Sequence, residues 1–292
     1  MDTLCEITLY GNDRKYLDDV FEIIEKYDNL FNANNQTSEI YKLNKSTESE
    51  IEVSKETAEL IEITLNFKEI SSDAYNPLIY NLSKLWNYAE QTIPSKEEIE
   101  IELEKINQSN MLVLGNKIIK EGSPAFDPGS SAKGYISDKI CEYLEGKGVK
   151  SAIINLGGNI RFIGDKNGKP FKALLKSPFN STKKIYLSLS ETNISTCGTY
   201  ERYFEYKSKI YHHILDTKTG FPIENGLVSA TVIGPDGANT DILSTVCFVL
   251  GKEAGLKLIE ETEGYEVIFI NKNEEIFLSS GLIEKSGTIS LK

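Results

Sequence analysis

Histidine, methionine and tryptophan are scarce in this 292-residue chain, with 2, 2 and 1 copies. Any imidazole chemistry must therefore come from His212 or His213. No run of about 18 apolar residues occurs, which excludes a spanning helix of ordinary length. The four cysteines, Cys5, Cys141, Cys197 and Cys247, are scattered without a C-x-x-C pair, so a zinc knuckle or redox dithiol is not expected and free, mostly buried thiols are. Positive charge is also in short supply: Lys and Arg number 32 against 44 Asp and Glu, a net charge of −12. Such a field repels a phosphate backbone or an anionic bilayer, so neither nucleic acid nor a membrane surface is expected as a partner. An anionic ligand would need a cation to mediate. The chain begins at Met1-Asp-Thr and runs directly into a strand-like stretch without a basic and apolar leader, which reads as a soluble cytoplasmic protein or one whose leader has been removed.

The remaining composition, 40% hydrophobic, is that of a globular protein with a sizeable core. Residues 4–10 alternate like a strand, and apolar residues at Leu17, Val20, Phe21, Ile24, Tyr27 and Leu30 predict a helix over 13–30. Ser54 and Ser95 sit where N-caps belong, before a helix to Ile70 and an acidic one over 95–107. Short strands are predicted at 111–114, 117–120, 151–156, 160–164, 172–175 and 184–189. Helices are expected to start near Ser131 and Asn239, and hairpins to pair 200–206 with 209–215 and 266–271 with 275–279. The expectation is an α+β, sheet-rich body with packed helices, one compact domain over 1–292.

Four segments carry chemistry. Asp127-Pro-Gly-Ser-Ser-Ala-Lys-Gly-Tyr-Ile-Ser-Asp138 is a small-residue loop entering a helix, suited to cradling a phosphate or simply to capping the helix. It is neither a Walker A loop nor G-x-G-x-x-G. In Ile154-Asn-Leu-Gly-Gly-Asn-Ile160 an apolar strand breaks at two glycines, as a bulge, a tight turn or a close approach to a ligand. Ser195-Thr-Cys-Gly-Thr-Tyr200 precedes a hairpin ending in Tyr211-His-His-Ile-Leu-Asp-Thr-Lys-Thr-Gly-Phe-Pro222. On a strand His212 and His213 point to opposite faces, so at most one serves a given site. Asn239-Thr-Asp-Ile-Leu-Ser-Thr245 opens an apolar helix in which Asp241 and Thr245 share a face near the first turn. A carboxylate with a hydroxyl suits a hard cation, although Thr240 or Asp241 would equally serve as a cap.

In this order the segments resemble the ApbE family of FAD:protein FMN transferases along nearly the whole chain. Ser38-Glu-Ile-Tyr-Lys-Leu-Asn44 is similar to the family's S-E-x-x-x-L-N, and Ala74 to Trp86 to its A-F-D-P-T…L-W stretch. Asp127 to Asp138 resembles D-L-G-G-I-A-K-G-Y-x-x-D, and Asn155 to Gly158 resembles N-x-G-G. Ser195 to Gly251 resembles T-S-G-x-Y…H-I-x-D-P-x-T-G-x-P…A-D-A-x-S-T…L-G. The resemblance implies a T-fold-like enzyme that uses Mg²⁺ and transfers FMN from FAD to a threonine of an acceptor protein, with AMP leaving. It implies metal ligation by Asp241, Thr245 and the backbone oxygen of Ala132, and deprotonation of the acceptor threonine by His213. It also implies flavin or nucleotide contacts from Met1, Ala74, Tyr75, Asn76, Lys133, Gly157, Gly158, Thr196, Gly198 and Ile214.

Departures from the pattern are Asn76 in place of an Asp, Asn34 where a flavin-stacking Tyr is expected, Cys197 in place of a serine, and Ser130-Ser131 in place of Gly-Ile. They keep open a Mg²⁺-dependent FAD pyrophosphatase, with water as acceptor, and a non-catalytic FAD carrier. Family members are often lipid-anchored outside the membrane, yet no lipobox is present.

Overall fold

In the computed structural model the described residues are 3–11, 13–176, 179 and 184–292. They fall into two interleaved units. One comprises 26–132 and 199–225, the other 2–25, 133–198 and 226–292.

The second unit is built on a seven-stranded antiparallel sheet. Its order is Cys5–Leu9, Ser151–Leu156, Asn159–Gly164, Thr192–Gly198, Leu227–Gly234, Glu266–Asn271, Ile276–Leu278. Alternation along the strands divides the sheet into two faces. Phe162, Ile194, Ile233, Ile268 and Ile270 cover one of them. They pack with Phe171, Leu187, Leu189, Leu282 and Ile289 of a four-stranded sheet made from Leu282–Lys285, Thr288–Leu291, Ile185–Leu189 and Phe171–Leu175. Burying side chains of this size contributes roughly 1.5–3 kcal/mol each, so this sandwich is the main anchor of the unit.

The opposite face carries the helix Gly237–Glu260, which lies against Thr192–Gly198 and Leu227–Gly234. Asp236 caps it, accepting from Asn239 N at 2.8 Å, and Gly251, at φ 80°, kinks it. The helix therefore starts earlier than Asn239, and neither Thr240 nor Asp241 is the cap. Asp241 lies in the second turn and is 3% exposed, so it is no longer a residue of the helix start.

A second helix, Ala132–Gly146, crosses the first through glycines. A Cβ on Gly134 would lie 2.0 Å from the Gly237 carbonyl oxygen, and one on Gly237 would lie 2.4 Å from that of Gly134. Only two hydrogens at this crossing let the helix N-termini touch. Asp138 fastens the contact by accepting from Gly237 N at 2.6 Å and Ala238 N at 2.9 Å.

The first unit holds the helices Glu39–Lys45, Lys55–Ile70, Tyr80–Leu85 and Lys96–Asn107, with a three-stranded sheet of Glu50–Glu52, Lys117–Glu121 and Asn110–Leu114. Ser54 and Ser95 cap their helices as predicted, Ser95 with a full capping box to Glu98. The hairpin Tyr203–Tyr206 with Lys209–His212 stands as its own two-stranded sheet, shorter than predicted. It lies against a cluster of Leu82, Trp86, Ile99, Ile106, Phe204 and Leu215. His212 closes the strand and His213 follows it, so strand alternation does not itself separate the two histidines.

Candidate active site

In the sheet-based unit the chemistry gathers on the helix side of Thr192–Gly198. Ser195 faces that side and donates its hydroxyl to Asp241 Oδ1 at 2.5 Å. Gly134 N donates to Oδ2 at 3.1 Å, and the Lys133 ammonium stands 3.4 Å from the same oxygen. A hydroxyl, an orphan amide at a helix start and an ammonium thus meet one buried carboxylate. Thr245 sits one turn further along and is half-buried. On the same face Asn193, two residues before Ser195, is fully buried, and its side-chain amide meets no hydrogen-bond partner among the described residues.

Thr196 points to the other face, where its hydroxyl pairs with Thr231 at 2.8 Å. Gly198 ends the strand opposite Ser229. Gly157 and Gly158, at φ 60° and 94°, form the two-residue turn between Ser151–Leu156 and Asn159–Gly164, with Gly158 N bonded to Asn155 Oδ1 at 3.1 Å. Positive φ at both positions is what a type I′ hairpin demands, and a Cβ on Gly157 would strike Thr3 Oγ1 at 1.9 Å. The tight-turn reading of these glycines is therefore realised. Met1 lies outside the described residues.

The other unit holds the histidines. His212 is buried, and both ring nitrogens serve the backbone: Ile214 N donates to Nδ1 at 3.3 Å, and Nε2 faces the Ile223 carbonyl at 3.0 Å. Ile214 is thus part of the histidine's scaffold. His213 is half-buried. Its Nδ1 faces the Arg202 carbonyl at 3.2 Å, and its backbone N–H donates to the same oxygen at 3.1 Å. A carbonyl accepts only from a protonated nitrogen, so Nδ1 carries a hydrogen, and in the neutral imidazole the lone pair is then on Nε2, the arrangement of a base.

The turn after the histidines is closed by Gly220 N to the Asp216 carbonyl and Lys218 N to Asp216 Oδ1. Trp86 Nε1 holds the Gly220 carbonyl at 3.1 Å, and the indole stacks on Tyr211 and meets Phe221 edge-on. Thr217 Oγ1 reaches the Asp73 carbonyl at 3.3 Å and the Ala74 carbonyl at 3.5 Å, which joins the 74–76 segment to this turn.

In that segment Tyr75 OH pairs with Ser130 Oγ at 2.6 Å, so one serine that departs from the family pattern has acquired a partner. Asn76 Oδ1 accepts from Leu78 N at 2.9 Å as a turn-former, and Asn34 Oδ1 accepts from Tyr80 OH and Lys84 Nζ. Asp127 braces the loop, accepting from Gly129 N and Ser83 Oγ. Ala132, buried, begins the helix that carries Lys133 and Gly134.

Sequence reasoning left out Ser195, Gly134 and Asp138 as working residues. Ser195 was within reach of the strand period, had 192–198 been read as a strand. No disulfide joins the cysteines among the described residues, and burial pushes Cys141 up to about 12 and Cys247 up as well.

Against known proteins, the ApbE family model matches residues 1–269. The chain belongs to the ApbE family. It is 32% identical to an FAD:protein FMN transferase of Klebsiella pneumoniae, over 94% of this chain and 88% of that protein. A Treponema pallidum protein of the same name is 28% identical over 97% of this chain and 86% of its own length. Among solved structures, the ApbE protein of Thermotoga maritima superimposes with a TM-score of 0.81 at 28% identity, covering 94% of this chain and 92% of the other. The expected α+β fold is the fold of that family.

Among the described residues no three His, Cys, Asp or Glu side chains converge as a metal cluster. A cation at Asp241 would draw on one carboxylate, the Thr245 hydroxyl, a carbonyl and ligand oxygens. That donor set is all oxygen with a single charge, which fits Mg²⁺ bound together with phosphates and not a soft metal. The Lys133 ammonium beside Asp241 marks the carboxylate as a place for positive charge.

Proposed function

We propose that this protein transfers FMN from FAD to a threonine of an acceptor protein, in a Mg²⁺-dependent reaction that releases AMP. The observation that carries the reading is Asp241: a carboxylate 3% exposed, fixed by Ser195, Gly134 and Lys133, in a chain of the ApbE family. Asp241, Thr245 and the Ala132 carbonyl would hold the cation, which supplies charge neutralisation for the pyrophosphate as its P–O bond breaks. Lys133 offers a second positive charge to the phosphate oxygens.

His213 is the base of the reading. With Nδ1 held by the Arg202 carbonyl, Nε2 takes the proton of the acceptor hydroxyl as its oxygen bonds to the FMN phosphorus and AMP leaves. His212, with both nitrogens committed to backbone, keeps the loop in shape. The partner is therefore a protein whose threonine segment reaches this imidazole.

The test is incubation with FAD, Mg²⁺ and an acceptor bearing a D-x-x-[ST]-[GA]-[AS]-T motif. Flavin fluorescence that stays with the acceptor in a denaturing gel is expected. Release of free FMN and AMP with no labelled acceptor would make the protein a pyrophosphatase, and FAD left intact over hours would make it a carrier.

A further inference from the structure

Asp241 Oδ2 lies between the Gly134 amide, at 3.1 Å, and the Lys133 ammonium, at 3.4 Å. Both belong to the first turn of Ala132–Gly146, the end at which unpaired amides leave a positive potential. The carboxylate that would hold a divalent cation is thus already balanced by one full positive charge and one partial one. Its other oxygen is taken by the Ser195 hydroxyl.

A divalent ion arriving alone would displace or sit beside Lys133, a like charge a few ångströms away in a site whose carboxylate side chain is 4% exposed. Poor solvation there magnifies the repulsion. A pyrophosphate reverses the balance, because it brings several negative charges, new oxygen ligands for the ion and a new partner for the ammonium. Lys133 is suited to the exchange: its side chain is 26% exposed, and a flexible four-carbon stem lets the charge move while the helix stays fixed.

We propose that Lys133 couples the two ligands, so that the divalent cation and the pyrophosphate-bearing nucleotide bind as a pair and each binds weakly alone. The proposal rests on Asp241 as the cation ligand. Linkage makes the effect reciprocal: whatever factor the nucleotide adds to cation affinity, the cation adds to nucleotide affinity.

Mn²⁺ titrations followed by electron paramagnetic resonance, with and without ADP as a pyrophosphate probe that carries no flavin, read this coupling directly. In the wild-type protein ADP is expected to tighten Mn²⁺ by about tenfold or more, within the usual range for coupled sites. In Lys133→Gln, Mn²⁺ alone should bind more tightly than to wild type, and the enhancement by ADP should shrink towards unity. Lys133→Met, which keeps the stem and its packing, should behave alike, and Lys133→Arg should restore coupling. Melting curves of each variant establish that it is folded.

Wild-type coupling in both Lys133→Gln and Lys133→Met would overturn the proposal while leaving the cation site standing. Mn²⁺ binding that survives Asp241→Asn would remove the cation assignment itself, and the proposal with it.

Discussion

Around Asp241 the polar partners come from regular elements packed on the seven-stranded sheet, whereas His213 is held at its ring and its backbone by the Arg202 carbonyl, just before a hairpin. The difference follows from what each group must do. A buried carboxylate is tolerable only if donors are fixed in advance, since each unpaired charge or dipole at that depth is costly. Strand Thr192–Gly198 and the glycine crossing of two helices supply such donors. A base needs one nitrogen locked and the other presented to an incoming hydroxyl. A residue just beyond a strand, with Nδ1 held by the Arg202 carbonyl, suits that task. In the proposed function binding chemistry is tied to the core and proton transfer to a braced loop, so stability and activity should respond differently to substitution in the two places.

Asp241→Asn should have the largest effect. It keeps an acceptor for Ser195 or Gly134 but removes the charge, so Mn²⁺ binding should disappear and transfer should fall by roughly three orders of magnitude, the size seen when electrostatic stabilisation of a reacting group is lost. Asp241→Ala should in addition cost about 1–3 kcal/mol of folding stability by stranding buried donors. Full transfer activity in the Asn variant would end the comparison, because the buried cluster would then be scaffold alone.

The histidine pair gives the second, smaller contrast. His213→Ala should slow transfer by about 10²- to 10⁴-fold with FAD affinity little changed. His212→Ala should instead lower the melting temperature, through about 1–3 kcal/mol of lost backbone satisfaction at Ile214 and Ile223. Equal loss of FAD binding and transfer in His213→Ala would reassign that residue to the scaffold.

The same contrast explains what could be read from the sequence. Caps such as Ser54 and Ser95 are local devices and were legible, as were strands with one wet face. Leu227–Gly234, a central strand, was not predicted, because it is buried on both faces and carries no alternation, with Ser229 and Thr231 diluting its apolar run. Thr192–Gly198 was passed over for the opposite reason. Its Asn193, Ser195 and Thr196 read as loop, and of these Ser195 is the one that bonds Asp241. The motif pointed to Thr196, but only the strand register shows that Ser195 faces Asp241. The segment Ser195 to Thr245 was recognisable as a pattern, yet the partners that make it work, Gly134 and Asp138, depend on a helix crossing that no local signal encodes. Asp236 took the cap because the helix begins two residues before Asn239, at a glycine whose function is close approach.

The smallest prediction tests how firmly that crossing is held. Asp138 accepts from Gly237 and Ala238 across the two helices. Burial raises its pKa from 3.8 to about 6 against the opposing pull of those two amides, with Asp236 adding to the rise. Between these values the folded protein retains a proton that the unfolded chain has released. The stabilisation is therefore complete below pH 3.8 and lost as pH rises through 6. The slope is at most about 1.4 kcal/mol per pH unit, and less in practice because the carboxyl is only half-buried by surface exposure. Urea unfolding at steps from pH 4 to 7 should show this decline in the wild-type protein and a flatter profile in Asp138→Asn, which cannot titrate but keeps an oxygen for one of the two amides. Identical slopes would mean that water reaches Asp138 freely, and that the glycine contact alone sets the position of the helix bearing Asp241.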